Sequence, residues 1–172
     1  MVTVVIPFAG AGGKTRLHES AEVRGALAMA MFEDVLEACR PVGPTRVADL
    51  GGGQGAAVAA ALAGVEGPVV VVNADLPCVV PSDVRLLAET APALVAAADG
   101  TTNALSLPSA DLFAPLYGPG SAERFQAHCG AVSMVLPNLA DDVDTMDDLV
   151  RLQLRVGPRT VAALGELQRS LA

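Results

Sequence analysis

Three carboxylates are the residues of this chain best placed to do chemistry. Asp75 closes the stretch V-V-V-V-N-A-D-L-P at 69–77, and Asp142 and Asp144 alternate within D-D-V-D-T-M-D-D-L at 141–149. Alternation along an extended segment puts Asp142 and Asp144 on one side. Convergent carboxylates are costly unless a cation neutralises them, and hard oxygen donors suit Mg2+ carrying phosphates. Each residue also has a local explanation. Asp75 could cap the turn that follows it. Asp144 or Thr145 could cap a helix whose first turn Asp147 and Asp148 would favour. That local account leaves Asp142 unexplained.

Groups suited to phosphates and other anions stand around these acids. The turn A-G-A-G-G-K-T-R-L, residues 9–17, combines Gly12 and Gly13, which let backbone N–H groups approach a phosphate, with the charges of Lys14 and Arg16. It is not a P-loop, because Phe8 stands where that motif needs its first glycine. In G-G-G-Q-G, residues 51–55, the amide of Gln54 between Gly53 and Gly55 both donates and accepts, so it can read a base edge. The same loop could equally do no more than cap a helix. The blocks D-G-T-T-N-A-L-S-L-P (99–108) and Y-G-P-G-S (117–121) supply Thr102, Gly118 and Ser121 near a predicted helix start, a ready anion site. Ser121 could also be only a first-turn residue.

The elements that must position these groups follow from periodicity. Four β-branched residues in a row, Val69 to Val72, demand a strand buried on both faces, the centre of a largely parallel sheet. Pro77 bars further pairing, so Asp75 falls at the carboxyl end of that strand, where open α/β sheets bind ligands. Residues 2–8, 45–50, 93–98, 103–107 and 132–136 read as further strands. Helices are predicted over 19–40, 56–63, 81 onward, 119–129, 145–156 and 158–171. Strands alternating with helices predict one α/β domain over residues 1–172, with helices on both faces of a mostly parallel sheet.

Composition sets the outer bounds. The chain has 172 residues, 52% of them hydrophobic, no Trp, and a net charge of -8. It is long enough for a real core, and that charge argues against nucleic acid as a partner while leaving room for a nucleotide. Cys39, Cys78 and Cys129 show no metal-ligand spacing and suit free thiols in a reducing cytoplasm. The start M-V-T-V-V-I-P lacks the basic region of a signal peptide, and no apolar run is long enough for a membrane span. His18 and His128 are isolated, and surface or helix-end roles fit them better than catalysis. The apolar segment from Val161 to Leu171 could pack within the chain or across a homodimer.

Taken in order, the Gly-rich turn with K-T-R-L, then G-G-G-Q-G, A-D-L-P, G-T-T-N-A-L, Y-G-P-G-S and D-V-D-T-x-x-D-L resemble the guanylyltransferases of deazaflavin coenzyme F420 biosynthesis, which act on 2-phospholactate or phosphoenolpyruvate. The resemblance runs from Ile6 to about Leu152, with T-N-A-L and G-P-G-S its most specific part. K-T-R-L, A-D-L-P and D-V-D-T are shared more widely, including with molybdopterin guanylyltransferases. It implies a three-layer fold like that of nucleotide-diphospho-sugar transferases. It further implies GTP over the first turn, with Gly12, Gly13, Lys14, Arg16, Gly53, Gln54 and Gly55 around it. Asp75, Asp142 and Asp144 would hold Mg2+, with Asp75, Lys14 and Arg16 the catalytic groups. Thr102, Asn103, Gly118 and Ser121 would seat a phosphorylated three-carbon acid (2-phospholactate, phosphoenolpyruvate or 3-phosphoglycerate). Two departures stand out. Only residues 40–49 separate the first long helix from the second Gly-rich loop, where the family usually has a further strand–helix unit, so the sheet is expected to be one such unit short. Ala56 and Ala57 stand where the family often has Asn. Two other readings remain open at this point: a nucleotidyltransferase for another acceptor such as molybdopterin, and a degenerate nucleotide-binding protein that is not an enzyme.

Overall fold

A computed structural model describes residues 1–10, 17 and 20–170. The valine run forms β3 (Val69–Val72), with every residue buried. It lies between β1 (Thr3–Phe8), which is parallel to it, and β5 (Thr102–Leu107), which is antiparallel. Outside β1 pairs β2 (Thr45–Asp49), and outside β5 come β4 (Ala93–Ala96) and then β6 (Val132–Ser133). The six-stranded order is β2-β1-β3-β5-β4-β6, and only β5 runs against the others. The chain reverses between β4 and β5 in a tight turn, where the Ala97 N–H donates to Thr101 O at 2.9 Å and Gly100 takes φ +81. Glycine adopts that conformation without penalty.

Alternating side chains of the sheet feed two cores. Val4, Ile6, Val70 and Val72 pack on one face against α1 (Ala21–Cys39), α3 (Pro81–Glu89) and the single turn α5 (Pro137–Ala140), through Phe32, Val35, Leu87 and Leu139. Val5, Val69, Val71 and Leu105 face α2 (Gln54–Leu62) and α4 (Ser121–Cys129), meeting Val58, Leu62 and Phe125. The expected three-layer arrangement is therefore present. The expected strand at 132–136 shrinks to Val132–Ser133, because Pro137 opens α5 and Val135 is 90% exposed beyond the sheet edge. The helix expected over 145–156 is α6 (Met146–Leu152), which gives way to a turn.

After α1 the chain enters β2 within six residues, with no helix between. Close approach makes this possible: a Cβ at Gly43 would collide with the Val2 carbonyl. The last described helix, α7 (Pro158–Ser170), lies along α1 and is tied to it by one buried acid. Asp34 accepts the backbone N–H groups of Arg159 at 3.0 Å and Thr160 at 2.9 Å, which satisfies two donors at the α7 start. Just before it, the Gly157 N–H donates to Pro77 O at 2.7 Å. No described helix is long and apolar enough to cross a membrane.

Candidate active site

β1 and β3 are neighbours, yet the chain leaves β1 for β2 on one side and returns to β3 on the other. Their carboxyl ends therefore flank a crevice of the kind in which open α/β sheets bind ligands. Because β5 is reversed, its amino end reaches the same edge: Asn73, just past β3, donates its N–H to Asn103 O at 3.0 Å. Three segments distant in sequence thus meet at one rim.

Asp75 is brought there by the valine strand, and the acidic segment is pinned against it by a backbone bond, Val143 N–H to Asp75 O at 3.0 Å. Val143 is fully buried, so its neighbours Asp142 and Asp144 share the opposite side. One oxygen from each of Asp75, Asp142 and Asp144 lies within 4.8 Å of the others. All three side chains are half-buried. Burial raises the Asp142 carboxyl above its ordinary range, and the charges of Asp75 and Asp144 push it further, against hydrogen bonds from Asn103 and from its own backbone N–H. An all-oxygen set of carboxylates that repel one another fits a hard divalent cation.

The segment is braced from both sides. Asn103 Nδ2 donates to Asp142 Oδ1 at 3.3 Å and to Ala140 O at 3.2 Å. Arg151 and Arg155 grip the two oxygens of Asp141 at 2.9 and 2.7 Å. Burial acts to raise Asp141, but those two guanidiniums outweigh it and hold the carboxyl below the usual range. Asp148 accepts from the Thr145 N–H at 2.9 Å and donates its own N–H to the Thr145 hydroxyl at 3.3 Å, closing a capping box at the α6 start, and its carboxylate also accepts from the Asp144 N–H at 3.1 Å. The local capping role therefore falls to Thr145 and Asp148, which leaves Asp144 with the other two carboxylates.

The remaining predicted residues sort by place. Gly12, Gly13, Lys14, Arg16 and His18 lie outside the described residues. Gly53, at φ +90, is the residue before α2, and Gln54 is its first. The Gln54 amide does not point at solvent alone: Nε2 donates to Asn73 Oδ1 at 2.7 Å, and Asn73 Nδ2 donates to Thr102 O at 3.2 Å. Gly55 lets α2 approach the loop before Tyr117, since a Cβ there would stand 2.8 Å from Pro115 Cβ. Thr102 and Ser121 are buried with their hydroxyls 3.0 Å apart, which joins the start of β5 to the start of α4. Gly118, at φ +113, sits in the loop leading into α4. Asn103 supports the carboxylate of Asp142. Burial raises the Cys78 thiol above its ordinary value, which suits packing. His128 Nε2 lies 3.1 Å from Leu112 O at the end of α4.

Sequence reasoning passed over Asn73, Asp141 and Arg124. Asn73 was legible as the one polar residue between the valine run and Asp75. Arg124 carried a fainter signal, a cation in the opening turn of a helix, where the dipole disfavours it.

Comparison with known proteins bears on the family and the fold. A phosphoenolpyruvate guanylyltransferase of Streptomyces coelicolor is 33% identical over 206 aligned positions, which take in 96% of this chain and 96% of the relative. The chain belongs to the phosphoenolpyruvate/2-phospho-L-lactate guanylyltransferase family. A 2-phospho-L-lactate guanylyltransferase of Haloferax volcanii is 34% identical across 87% of this chain and 83% of its own length. A phosphoenolpyruvate guanylyltransferase of Streptomyces scabiei is 39% identical over 112 residues, 59% of this chain and 51% of the relative. The 206 positions aligned with the first relative exceed the 172 residues here, so that relative has internal segments this chain lacks. Among solved structures, a candidate nucleotide-diphospho-sugar transferase from Desulfovibrio desulfuricans superposes with a TM-score of 0.67 at 18% identity, covering 97% of this chain and 95% of that one, a likeness of fold.

One comparison points elsewhere. A family model for the O-methyltransferase domain matches residues 17–115. That span includes the Gly-rich turn at 51–55 entering α2, a shape that unrelated folds use at helix starts, and it stops short of Asp142 and Asp144. The guanylyltransferase relatives match nearly end to end, and the fold is that of nucleotide-diphospho-sugar transferases. Those matches decide the family.

Proposed function

We propose that this protein transfers GMP from GTP to a phosphorylated three-carbon acid, phosphoenolpyruvate or 2-phospholactate, in a Mg2+-dependent reaction. The observation that carries the reading is the convergence of Asp75, Asp142 and Asp144 one residue along β5 from the Thr102–Ser121 pair. A phosphate oxygen of the acid attacks the α-phosphorus of GTP, a new P–O bond forms, and the bond to the β-phosphate oxygen breaks to release pyrophosphate. The nucleophile is already ionised, so no side chain needs to take a proton. A divalent cation held by the three acids supplies charge neutralisation between the two anionic reactants.

The chain's own part is positioning. Asp75, Asp142 and Asp144 fix the cation's place on the rim, and Asn103 and the Asp141 clamp keep the segment from spreading. The linked amides of Gln54 and Asn73 tie the Gly-rich turn, on the nucleotide side, to Thr102 on the acceptor side. Lys14 and Arg16 are assigned to the GTP phosphates on sequence grounds. Thr102, Gly118 and Ser121 are assigned to the acid, and the three free cysteines suit a reducing cytoplasm.

Pyrophosphate release from GTP and Mg2+ tests the reading, with phosphoenolpyruvate, 2-phospholactate and 3-phosphoglycerate supplied separately. Release that depends on one acid is expected; none with any acid overturns the proposal. The metal also predicts a pH-dependent stability. A carboxyl raised in the folded state, as Asp142 is, stabilises the fold fully below its unfolded pKa and loses that contribution as pH rises through the folded value. Once ionised, Asp142 is opposed by burial and by the charges of Asp75 and Asp144, so Mg2+ should raise the melting temperature. That gain should fade as pH falls and the raised Asp142 carboxyl takes up its proton. A gain that does not change as pH falls would place the ion elsewhere.

A further inference from the structure

One side chain shapes the whole loop before α4. Arg124 Nη1 donates to Pro119 O at 2.6 Å, and Nε and Nη2 donate to Leu116 O at 3.2 and 2.8 Å, with Nη2 also 3.4 Å from Tyr117 O. A single guanidinium thus gathers the carbonyls of residues 116, 117 and 119 on one side of the loop. In a trans peptide the N–H points opposite to the C=O. The N–H groups of Tyr117, Gly118 and Gly120 are therefore turned away from Arg124, and none of them makes a hydrogen bond among the described residues. Gly118 at φ +113 and Gly120 at φ +71 give the loop the backbone this requires. Successive N–H groups turned to one side form an anion-binding concavity. The adjoining Ser121 hydroxyl, bonded to Thr102, ties that concavity to the rim that carries the metal ligands.

We propose that Arg124 is a positioning residue for the acceptor: without touching it, Arg124 orients the amides of Tyr117, Gly118 and Gly120 toward the anionic groups of the phosphorylated acid. The inference rests on the function proposed above. Its charge lies behind the loop and also favours an anion in front. Only a guanidinium suits the task, because its planar fork spans several carbonyls where an ammonium is a point charge. Nothing in this arrangement involves GTP, so the two substrates should respond differently to its loss.

The test is calorimetric titration of phosphoenolpyruvate and 2-phospholactate, and separately of GTP, with Mg2+ into the full chain and its R124M and R124K variants. Steady-state KM values for both substrates complete it. R124M is expected to weaken binding of the acid and raise its KM at least tenfold, with the GTP values within twofold and kcat within threefold. R124K should recover only part of the loss. Far-UV circular dichroism and the melting temperature identify the folded variants. Unchanged acid affinity in folded R124M overturns the inference, as does an equal loss for acid and GTP, which is what a general loosening would produce. Should R124M fail to fold, R124K is read by the same criteria. A wild-type protein that binds the acid without turning it over defeats the proposed function and leaves the Arg124 assignment to the binding data. One that binds neither acid overturns both.

Discussion

Asp144→Ala is expected to lower the rate of pyrophosphate release by about three orders of magnitude, since metal charge stabilisation is worth several kcal/mol and each ~1.36 kcal/mol is tenfold. Asp75→Ala should match it, because each removes one of three oxygens that lie within 4.8 Å of one another. The fold should survive. The three acids are half-buried and their mutual repulsion burdens the metal-free protein, so the melting temperature without Mg2+ should hold or rise. Asp142→Asn is the most telling of the set. It keeps an acceptor for the Asn103 amide, removes the charge that burial and Asp75 oppose, and should stabilise the metal-free protein while weakening Mn2+ binding, read by electron paramagnetic resonance. A variant of any of the three with near-normal rate and Mn2+ affinity would remove that residue from the metal site.

The second large effect concerns stability. Asp34→Ala should cost about 2–3 kcal/mol, because it strips the α7 start of two charge-assisted bonds, at 3.0 and 2.9 Å, and leaves the Thr160 N–H buried without its acceptor. For a chain of this size that corresponds to a fall in melting temperature of about 5–10 °C. Asp34→Asn should fall between, since an amide keeps one accepting oxygen. Gly157→Ala should be at least as harmful: a Cβ there would run into the Asp34 carboxylate, and the backbone is held in place by Pro77 O. Thermal unfolding followed by circular dichroism checks all three, and a shift of under a degree for Asp34→Ala would show that α7 is held by its apolar contacts alone.

Much of this site was legible because its signals are local. Four consecutive valines define a doubly buried strand in any context, and the acid that follows must lie at its carboxyl end. Likewise D-D-V-D alternates by itself, and Val143 proves to be the inward residue. What the sequence could not display is pairing across distance. Gln54 meets Asn73 and Asn103 meets Asp142 only because a reversed β5 sets its amino end beside the carboxyl end of β3. Arg124 was opaque for a related reason: its partners are backbone carbonyls, which every residue has. The short β6 was overestimated because Val132 to Leu136 has strand propensity but only a four-residue β4 to pair with and Pro137 close behind. Only residues 40–49 separate the first long helix from the second Gly-rich loop, and in the structure they carry β2, the edge of a six-stranded sheet, with no helix before it.

The bond from Gly157 to Pro77 has a temporal side. A growing chain leaves the ribosome at about 5–20 residues per second, amino end first. Asp75 and the turn after it emerge early, but the Pro77 carbonyl must wait for residue 157, and Asp34 must wait for residues 159 and 160. For several seconds of synthesis the residues of β1, β3 and the Gly-rich turn at 51–55 therefore exist without the segments that brace the candidate site. A ribosome-stalled chain ending near residue 140 lacks Asp142, Asp144 and residues 157–160, so it should release no pyrophosphate from GTP until those residues have been made.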